Sequence, residues 1–423
     1  MKYKWLYILF LIPAFSTCLE SPEMTTGIVN GKEKPTVITV GANPLISDGN
    51  LLFQGEIVSG GKADIKESGF YWDTIPYNLG RSEKNNIVYT NVKTGVFDYK
   101  LENARGGRIY YWQAFARNSY GEDVGDVQSF TTPPIWEPKA SFNANPRSDG
   151  AVFYLNGNIY ISCGQERLIS PPPLTATWEY NIIKDEWSEI KSFTAEARIS
   201  PISFVIGNYA IVGTGRSNTE FNNFRKYNSV ISDWEEIANH ENLEARYDAV
   251  AFSLNGKGYL VGGISNRVIM NDVWQYDLEL DSWEKMNNFP VSFNGGISIS
   301  GNNRVFTGFG SSGSSRKLWE YNEKTDDWVE FAELHNEVGW IISSGVIINN
   351  TIYIVDDNNI IWACNMDSEN KIWKKKTDLP VEFLNQYGEG GNQNLITTGN
   401  SNSIYVGLGY TRLLYEYRPL WDN

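Results

Sequence analysis

The sequence predicts an all-β protein in two parts: a β-sandwich of roughly one hundred residues, followed by an array of repeated four-stranded sheets. Three observations support this prediction. A tryptophan recurs every 45 to 51 residues, a short apolar strand ending in glycine precedes the tryptophan in four of the repeats, and the segment before the repeats has a different strand rhythm. Repeats of this length are typical of folds in which each unit buries its faces against its neighbours.

The recurring tryptophans are spaced by 51, 47, 49, 45 and 45 residues, and they are Trp136, Trp187, Trp234, Trp283, Trp328 and Trp373. In four repeats a tyrosine stands seven residues before the tryptophan, as in EYNIIKDEW and QYDLELDSW. Upstream lie the glycine-ended strands IYISCG, AIVGTG, YLVGG and VFTGFG. Two inner strands followed by a Tyr strand and a Trp strand make four strands in each repeat.

This layout resembles the kelch repeat of β-propellers, and the resemblance covers residues 135–423. It implies blades stacked around an axis, with a Trp of each outer strand filling the gap where blades splay apart. The last repeat, SIYVGLG and then LLYEYRPLW, lacks a full Trp strand, whereas IWEPKASF at 135–142 is a Trp strand with no blade before it. We therefore predict six blades, with the strand of Trp136 completing the sixth so that no sheet edge stays open.

Residues 35–133 contain short alternating strands between turns rich in Gly, Asn and Asp, which predicts the β-sandwich. One strand has apolar residues at every second position, Tyr110, Trp112, Ala114 and Ala116. The segments ESGFYWDT and YYWQAFARNSYGEDVGDVQSFTTPP resemble fibronectin type III-like modules, in which Tyr110 takes the place of the corner tyrosine. We expect this module to act as a spacer, and the alternative is sugar binding through Tyr71, Trp72 and Tyr77.

Residues 1–17 have the form of a secretory signal peptide, with two lysines before an apolar stretch from Trp5 to Phe15. Cys18 follows directly, which resembles the lipobox of bacterial lipoproteins, where the cysteine becomes the acylated first residue. We therefore expect a lipid on Cys18 and a polar tether over residues 18–34. The alternative is an ordinary signal peptide followed by a chance cysteine. The lipoprotein interpretation predicts an exported protein anchored at the outer membrane or cell surface.

Composition excludes several partners. A formal net charge of −14 argues against nucleic acid, whose phosphates require a basic face. No apolar run of eighteen or more residues follows the leader, so we expect membrane contact through the lipid alone.

Cys163 and Cys364 fall in different repeats and are expected to be buried free thiols. We expect a monomer without cofactor or metal.

The candidate ligand site is a rim of arginines. In a kelch-like blade, the loops after the glycine strands and between blades open on one face, and eight of the eleven arginines of residues 135–423 fall there. They are Arg167, Arg216, Arg267, Arg316 and Arg412 after the glycine strands, and Arg147, Arg198 and Arg246 before the innermost strands. Converging guanidinium groups suit carboxylates, sulfates or phosphates. The alternative is that each pairs within its own repeat, above all the second group.

Aromatic residues in the inter-blade loops could stack on sugar rings or serve as packing plugs, and they are Phe142, Tyr247, Phe293, Trp340 and Tyr387. In the fifth repeat, Asp356 and Asp357 replace the glycine pair. We expect a tight turn stabilised by the aspartate side chain there, with a metal-ligand pair as the alternative.

Catalytic constellations are sparse. The chain has two histidines, His240 and His335. A copper site of the galactose oxidase type needs a tyrosine crosslinked to a cysteine, and both propeller cysteines are assigned to strands, so copper is not expected. No serine nucleophile elbow, phosphate loop or zinc spacing occurs.

A bacterial sialic acid mutarotase is also an exported six-bladed kelch propeller that binds an anionic sugar, and the arginine rim looks compatible with it. That chemistry needs an acid and a base, for which the candidates are Glu220, Glu241, Glu244, Glu337 and His240. We predict a binding protein without catalysis that recognises a glycan or a partner protein, in a nutrient-uptake assembly. The alternative function is an isomerase or mutarotase acting on an anionic sugar such as N-acetylneuraminate.

Overall fold

The computed structural model describes residues 33–41, 49–80, 86–166, 171–310, 316–339, 344–384, 395–409 and 411–422. Strands dominate these residues. The helical elements among them are one short α-helix, Val381–Leu384, and the 3-10 turns Pro76–Asn78 and Pro419–Trp421. The predicted all-β class is confirmed. Contacts divide the chain into two compact units, of which the first comprises Met1–Pro44, Leu52–Leu101 and Ile109–Phe130 and the second Leu45–Leu51, Glu102–Arg108 and Thr131–Asn423.

The first unit contains two sheets. The three-stranded sheet has the order Thr36–Val40, Leu51–Ser59, Gly95–Leu101. The five-stranded sheet has the order Ile87–Tyr89, Glu67–Asp73, Ile109–Asn118, Gly121–Val124, and its long strand also pairs with Gln128–Thr131.

Aromatic side chains from both sheets form the core of the first unit. Phe53 stacks on Trp112 with ring centres 5.1 Å apart, and Phe70 lies 5.0 Å from Phe97. The alternating positions predicted to face inward are all buried, from Tyr110 through Ala116. The core of the first unit therefore lies between the facing surfaces of its two sheets.

Of the three aromatics considered for sugar binding by this unit, Tyr71 is buried, and its hydroxyl donates to Glu122 at 2.9 Å. Trp72 is half-buried and lies 6.0 Å from Tyr110. The side chain of Tyr77 lies outside the described residues.

The second unit contains six four-stranded sheets among its described residues, numbered here by their first strands. Sheets one to three consist of Ala151–Leu155, Asn158–Ser162, Thr177–Asn181, Glu186–Ile190; Ile202–Ile206, Tyr209–Gly213, Phe224–Asn228, Asp233–Glu236; and Val250–Leu254, Lys257–Val261, Val273–Asp277, Ser282–Met286. Sheets four to six consist of Ile297–Gly301, Arg304–Gly308, Lys317–Asn322, Asp327–Glu333; Val346–Ile348, Thr351–Val355, Ile360–Asn365, Trp373–Asp378; and Ile396–Gly399, Ile404–Gly407, Leu414–Tyr417, Trp136–Pro138. Two-stranded sheets pair Arg147–Ser148 with Gln165–Glu166 and Ile264–Ser265 with Val268–Ile269.

Sheet six takes its strands from distant parts of the chain. Trp136 lies opposite Tyr417, so Trp136–Pro138 forms the fourth strand beside Leu414–Tyr417. Four charged side chains connect these strands: Lys139 lies 2.9 Å from Glu416, and Arg418 forms ion pairs with both Glu416 and Glu137. The first strand of each sheet contacts the first strand of the next, and that of sheet six contacts that of sheet one. Contacts between the sheets therefore follow a closed cycle.

A repeated hairpin fastens each of several sheets to the one before it. The tyrosine hydroxyl donates to an aspartate five residues later, at 2.5 Å for Tyr180 and Asp185 and 2.7 Å for Tyr276 and Asp281. Each aspartate also accepts a backbone N–H from the segment that follows the fourth strand of the preceding sheet. The Ala238 nitrogen lies 3.0 Å from the Asp281 carboxylate. The Trp283 indole donates to the carbonyl of the same Ala238 at 3.1 Å. The recurring tyrosine and tryptophan thus clamp one backbone residue of the neighbouring sheet.

Gly258 shows how closely the sheets approach each other. It lies in the second strand of sheet three, where a side-chain methyl would overlap the ring of Phe204 from sheet two. Both the ring and the surrounding cluster are buried. Glycine at this position is therefore required by packing between two sheets.

Candidate functional site

The three arginines before the innermost strands are buried. The exposed fractions of Arg147, Arg198 and Arg246 are 3%, 0% and 0%. Each donates from Nη1 to the carbonyl sixteen residues later, at 3.4 Å to Cys163, 2.9 Å to Thr214 and 3.0 Å to Gly262. Aromatic rings cover the first two guanidinium groups, with Arg198 lying 4.8 Å from the ring centre of Phe193. These side chains fasten a loop to the sheet in each repeat.

The charge partners of these arginines differ between sheets. Arg246 forms a two-pronged pair with Asp272, with 2.6 Å between Nη1 and Oδ1 and 2.9 Å between Nη2 and Oδ2. Burial alone would raise the pKa of Asp272, but the bonds and charge of Arg246 outweigh it and hold that pKa below its usual range. Arg198 instead lies 3.1 Å from Glu196. Burial lowers the pKa of Arg198 to about 10, which leaves it charged at neutral pH.

The loop arginines are placed differently from one another. Arg316 donates to the backbone carbonyls of Leu334, His335 and Val338, and so holds the segment that follows the fourth strand of sheet four. Arg412 is exposed and donates to Asn145 at 3.3 Å. The other rim candidates, Arg167, Trp340 and Tyr387, lie outside the described residues, as does Cys18.

Arg216 and Arg267 line the same recess, which has a volume of about 500 Å³ and is formed by loops of sheets two and three. The guanidinium carbon of Arg216 lies 4.0 Å from the ring centre of Tyr247, a stacked cation–π arrangement. Neither guanidinium has an ion pair or side-chain hydrogen bond to any residue that the structure describes. We name this recess, with Arg216, Tyr247 and Arg267, the arginine recess.

Backbone pairing holds both arginines in place. Arg216 exchanges two 2.9 Å backbone hydrogen bonds with Ile199, which anchors the loop after the second strand of sheet two. Arg267 occupies the turn between Ile264–Ser265 and Val268–Ile269 and has φ +68°. Asn266 has φ +48°, so both central residues of this two-residue turn are left-handed, which is the geometry that such hairpin turns favour. The turn presents the Arg267 side chain, which is exposed, beside Arg216.

Polar groups complete the recess. Its lining residues include Asn218, Asn266, Ser217, Thr219 and Glu220, whose side chains carry amide, hydroxyl and carboxylate groups. The Oε2 atom of Glu220 accepts the backbone N–H of Asn266 at 2.9 Å, which links the two loops across the recess. An arrangement of two planar cations, an aromatic ring and hydrogen-bonding side chains can hold an anionic, hydroxyl-rich ligand.

The sequence pointed to the two arginines, Tyr247 and Glu220, but not to the amide- and hydroxyl-bearing residues of the lining. Asn218, Asn266, Ser217 and Thr219 have ordinary turn composition, and nothing in the sequence distinguishes them from solvent-exposed loop residues. The one available signal was an Asn-Arg pair in the turn after Gly262 and Gly263, because asparagine tolerates left-handed backbone.

The remaining chemical groups have structural roles. Cys163 and Cys364 are free and buried, as predicted, and burial raises the pKa of each thiol to about 11. Asp356 forms the predicted tight turn, since its Oδ1 accepts the N–H groups of Asn358 and Ile360, both at 3.0 Å.

The two histidines lie apart from the arginine recess lining. His240 accepts a backbone N–H from Asn242 through Nδ1 and packs on Trp274, and His335 lies 3.0 Å from the Trp373 carbonyl. Within the described ranges, no group of three His, Cys, Asp or Glu side chains could hold a metal. Among the described helices, none has the length and apolar character needed to span a bilayer.

Comparison with known proteins gives three findings. A family profile described as Kelch motif matches residues 245–290. That span includes all of sheet three together with Arg246, Tyr247 and Arg267. The predicted kelch repeat is therefore confirmed for this segment. Kelch repeats indicate a propeller that binds a protein or another ligand.

Two curated relatives carry kelch names. Kelch-like protein 41a of Danio rerio is 24% identical over 271 residues, covering 60% of this chain and 41% of that protein. Kelch repeat and BTB domain-containing protein 13 of Homo sapiens is 24% identical over 157 residues, covering 37% of this chain and 34% of that protein. The chain thus spans less than half the length of these relatives.

A propeller-like solved structure, titled Structure of YjhT, matches with a TM-score of 0.50 and 15% identity. The match covers 65% of this chain and 95% of that one. At this identity the likeness concerns the fold alone.

Proposed function

We propose that this chain is an exported, lipid-anchored protein whose six-bladed kelch propeller binds an anionic ligand in the arginine recess, without catalysis. The ligand class is an acidic glycan or an acidic segment of a partner protein, taken up in a nutrient-uptake assembly. The observation that carries the proposal is the pairing of Arg216 and Arg267 in one recess, with one guanidinium stacked on Tyr247. Planar guanidinium forks bind carboxylates and sulfates through two parallel hydrogen bonds.

Several contacts support the finer architecture in this proposal. The cyclic contacts between first strands support a ring of six blades, and the pairing of Trp136–Pro138 with Leu414–Tyr417 supports its closure. The packed aromatic core between two sheets supports a fibronectin type III-like sandwich in the first unit. In this proposal the sandwich is the spacer between the lipid on Cys18 and a monomeric propeller.

The binding test uses a panel of anionic and neutral glycans, with affinities measured by calorimetry for the strongest hits. Arg216→Ala and Arg267→Ala should each weaken binding of an anionic glycan by roughly 10-fold or more, because charge-assisted hydrogen bonds contribute about 1.5–3 kcal/mol each. Arg412→Ala is the matched control, since it removes an exposed loop arginine that does not line the recess. If the double variant Arg216→Ala, Arg267→Ala binds as well as the native protein, the proposal is contradicted.

A mutarotase acting on an anionic sugar is the alternative, and Glu220 is the observation that favours it. Its carboxylate lines the recess beside the two arginines and is a candidate proton-transfer group. The test is anomer equilibration of N-acetylneuraminate followed by NMR. Acceleration beyond buffer that is lost in Glu220→Gln would establish catalysis and overturn the binding-only function.

A further inference from the structure

Arg216 and Glu220 lie opposite each other in the loop that follows the second strand of sheet two. Their backbones form an antiparallel bridge, flanked on both sides by 2.9 Å backbone hydrogen bonds, of which one runs from Ser217 to the Thr219 carbonyl. The two residues are therefore a non-hydrogen-bonded pair, in which opposite side chains share one face and lie closest together. Opposite charges in this register ordinarily attract each other across the strands.

The two charges are nevertheless held apart. No ion pair joins Arg216 to Glu220, although the structure describes both residues. The guanidinium of Arg216 is stacked on Tyr247, with 4.0 Å between its carbon and the ring centre. The Oε2 atom of Glu220 accepts the backbone N–H of Asn266 at 2.9 Å, while Oε1 has no hydrogen bond to any described residue. Each charge is thus fixed by a residue of sheet three and stays available to a ligand.

Both charges line the arginine recess together with Arg267. A bare anion bound by the guanidinium groups would come close to the Glu220 carboxylate and be repelled by it. An anion with a hydroxyl or ammonium group beside its charge would instead donate a charge-assisted hydrogen bond to Oε1. Because Cβ atoms of such a cross-strand pair lie only about 4.5–5.5 Å apart, the two ligand groups must also be close neighbours.

We propose that the arginine recess selects carboxylic acids with a hydrogen-bond donor on the carbon next to the one that bears the acid, and that Glu220 accepts from this donor. The inference rests on the proposed anion site and specifies its ligand class. The donor is the hydroxyl of a sugar acid or the ammonium of an amino acid. An acidic protein segment is disfavoured, since aspartate and glutamate side chains lack a donor at that position.

Three ring acids that differ only in the donor test this selectivity: cyclohexanecarboxylate, its 2-hydroxy derivative and its 2-amino derivative. NMR titration of the full chain measures the three affinities. The native protein should bind at least one substituted acid about 10-fold more tightly than the unsubstituted acid, because a charge-assisted bond is gained and a repulsion is offset. A preference for the hydroxy acid indicates a sugar-acid ligand, and a preference for the amino acid indicates a zwitterionic one.

Glu220→Gln should change the affinities in opposite directions. The amide oxygen can still accept the Asn266 N–H, which leaves the amide NH2 group toward the ligand, so both the repulsion and the free acceptor are removed. Binding of the preferred substituted acid should fall about 5-fold or more, and binding of cyclohexanecarboxylate should rise about 3-fold.

Glu244→Gln is the matched control. The exposed Glu244 carboxylate accepts from the Ser265 hydroxyl at 3.0 Å and is not part of the recess lining. Removing this nearby charge should shift all three affinities in the same direction. Thermal unfolding of Glu220→Gln should match that of the native protein, because the bond to Asn266 is kept.

The inference is wrong if Glu220→Gln shifts the three affinities together, as the control does, or if the native protein binds the unsubstituted acid as tightly as the other two. No binding of any of the three acids overturns it as well. These results leave the anion site itself to the glycan panel. Unchanged affinity of Arg216→Ala, Arg267→Ala for an acid that the native protein binds would overturn the proposed function.

Discussion

Arg246 and Asp272 form a buried ion pair with two hydrogen bonds, at 2.6 Å from Nη1 to Oδ1 and 2.9 Å from Nη2 to Oδ2. The indole of Trp274 donates to the same carboxylate at 2.6 Å. Removing one member of such a pair leaves an uncompensated charge in the interior, which costs more than the pair itself contributes. The pair therefore fixes the loop before sheet three more firmly than an exposed ion pair could.

Asp272→Ala should lower the free energy of unfolding by about 3–5 kcal/mol, because it strands the buried Arg246 guanidinium. Asp272→Asn should cost less, since the amide oxygen still accepts a hydrogen bond from Arg246. Urea denaturation measures both variants. Asp233→Ala, which breaks the exposed pair with Lys191, is the control and should change stability little. Equal effects of Asp272→Ala and Asp233→Ala would contradict this prediction.

The hairpin clamp predicts a second stability effect. Asp281→Ala removes the acceptor of both the Tyr276 hydroxyl and the Ala238 N–H, so it should destabilise by about 1–3 kcal/mol through unsatisfied polar groups. Asp281→Asn keeps an acceptor and suits the left-handed backbone at this position, where φ is +46°. Chemical denaturation should therefore rank native, Asn and Ala in that order, and an alanine variant as stable as the asparagine variant would refute the clamp.

Close packing between sheets two and three predicts coupling between Gly258 and Phe204. Gly258→Ala should cost about 1–3 kcal/mol, because the added methyl overlaps the buried ring. In a Phe204→Leu background the same substitution should cost much less, since the smaller side chain leaves room. A double-mutant cycle by thermal or urea unfolding measures the coupling, and strictly additive effects would be inconsistent with direct overlap.

Acid should weaken the closure of sheet six. The hydrogen bond and charge of Arg418, opposed by partial burial, hold the pKa of Glu137 below its usual range. A carboxyl with a lowered folded-state pKa stabilises the fold above its unfolded pKa, and this contribution is lost as pH falls through the folded value. The midpoint of thermal unfolding should thus fall less steeply below about pH 5 in Glu137→Gln than in the native protein. Parallel curves for the two proteins would argue against a stabilising ion pair between Arg418 and Glu137.

The lipid anchor proposed at Cys18 predicts the mass and location of the mature chain. Intact-protein mass spectrometry should find an acylated N-terminal cysteine with residues 1–17 removed, and Cys18→Ser should release the protein from the membrane fraction. An unmodified N-terminus on the membrane-bound native protein would exclude the lipoprotein interpretation.

The sequence was most informative where one physical requirement recurs in several repeats. Trp187, Trp234 and Trp283 fill equivalent gaps and donate to equivalent carbonyls, so their spacing reports the sheet period directly. The buried arginines follow the same logic, since each reaches a carbonyl sixteen residues away.

The candidate site was less predictable because it depends on loops whose geometry no period controls. Arg216 and Arg316 stand in comparable places after a glycine strand, yet Arg216 lines a recess and Arg316 donates to carbonyls of the segment after the fourth strand of sheet four. The difference arises from the segment near Leu334, whose carbonyls are within reach of Arg316. Arg267 adds a left-handed backbone conformation, which its residue type does not signal.

The origin of the outermost strand of sheet six also sets when this unit can be finished during biosynthesis. Trp136–Pro138 emerges from the ribosome well before its partner Leu414–Tyr417. More than 270 residues must therefore be synthesised before the two can meet, and a pairing of such long range is intrinsically slow. A chain without Leu414–Tyr417 would leave Trp136–Pro138 unpaired, an exposed edge that proteases and chaperones can recognise.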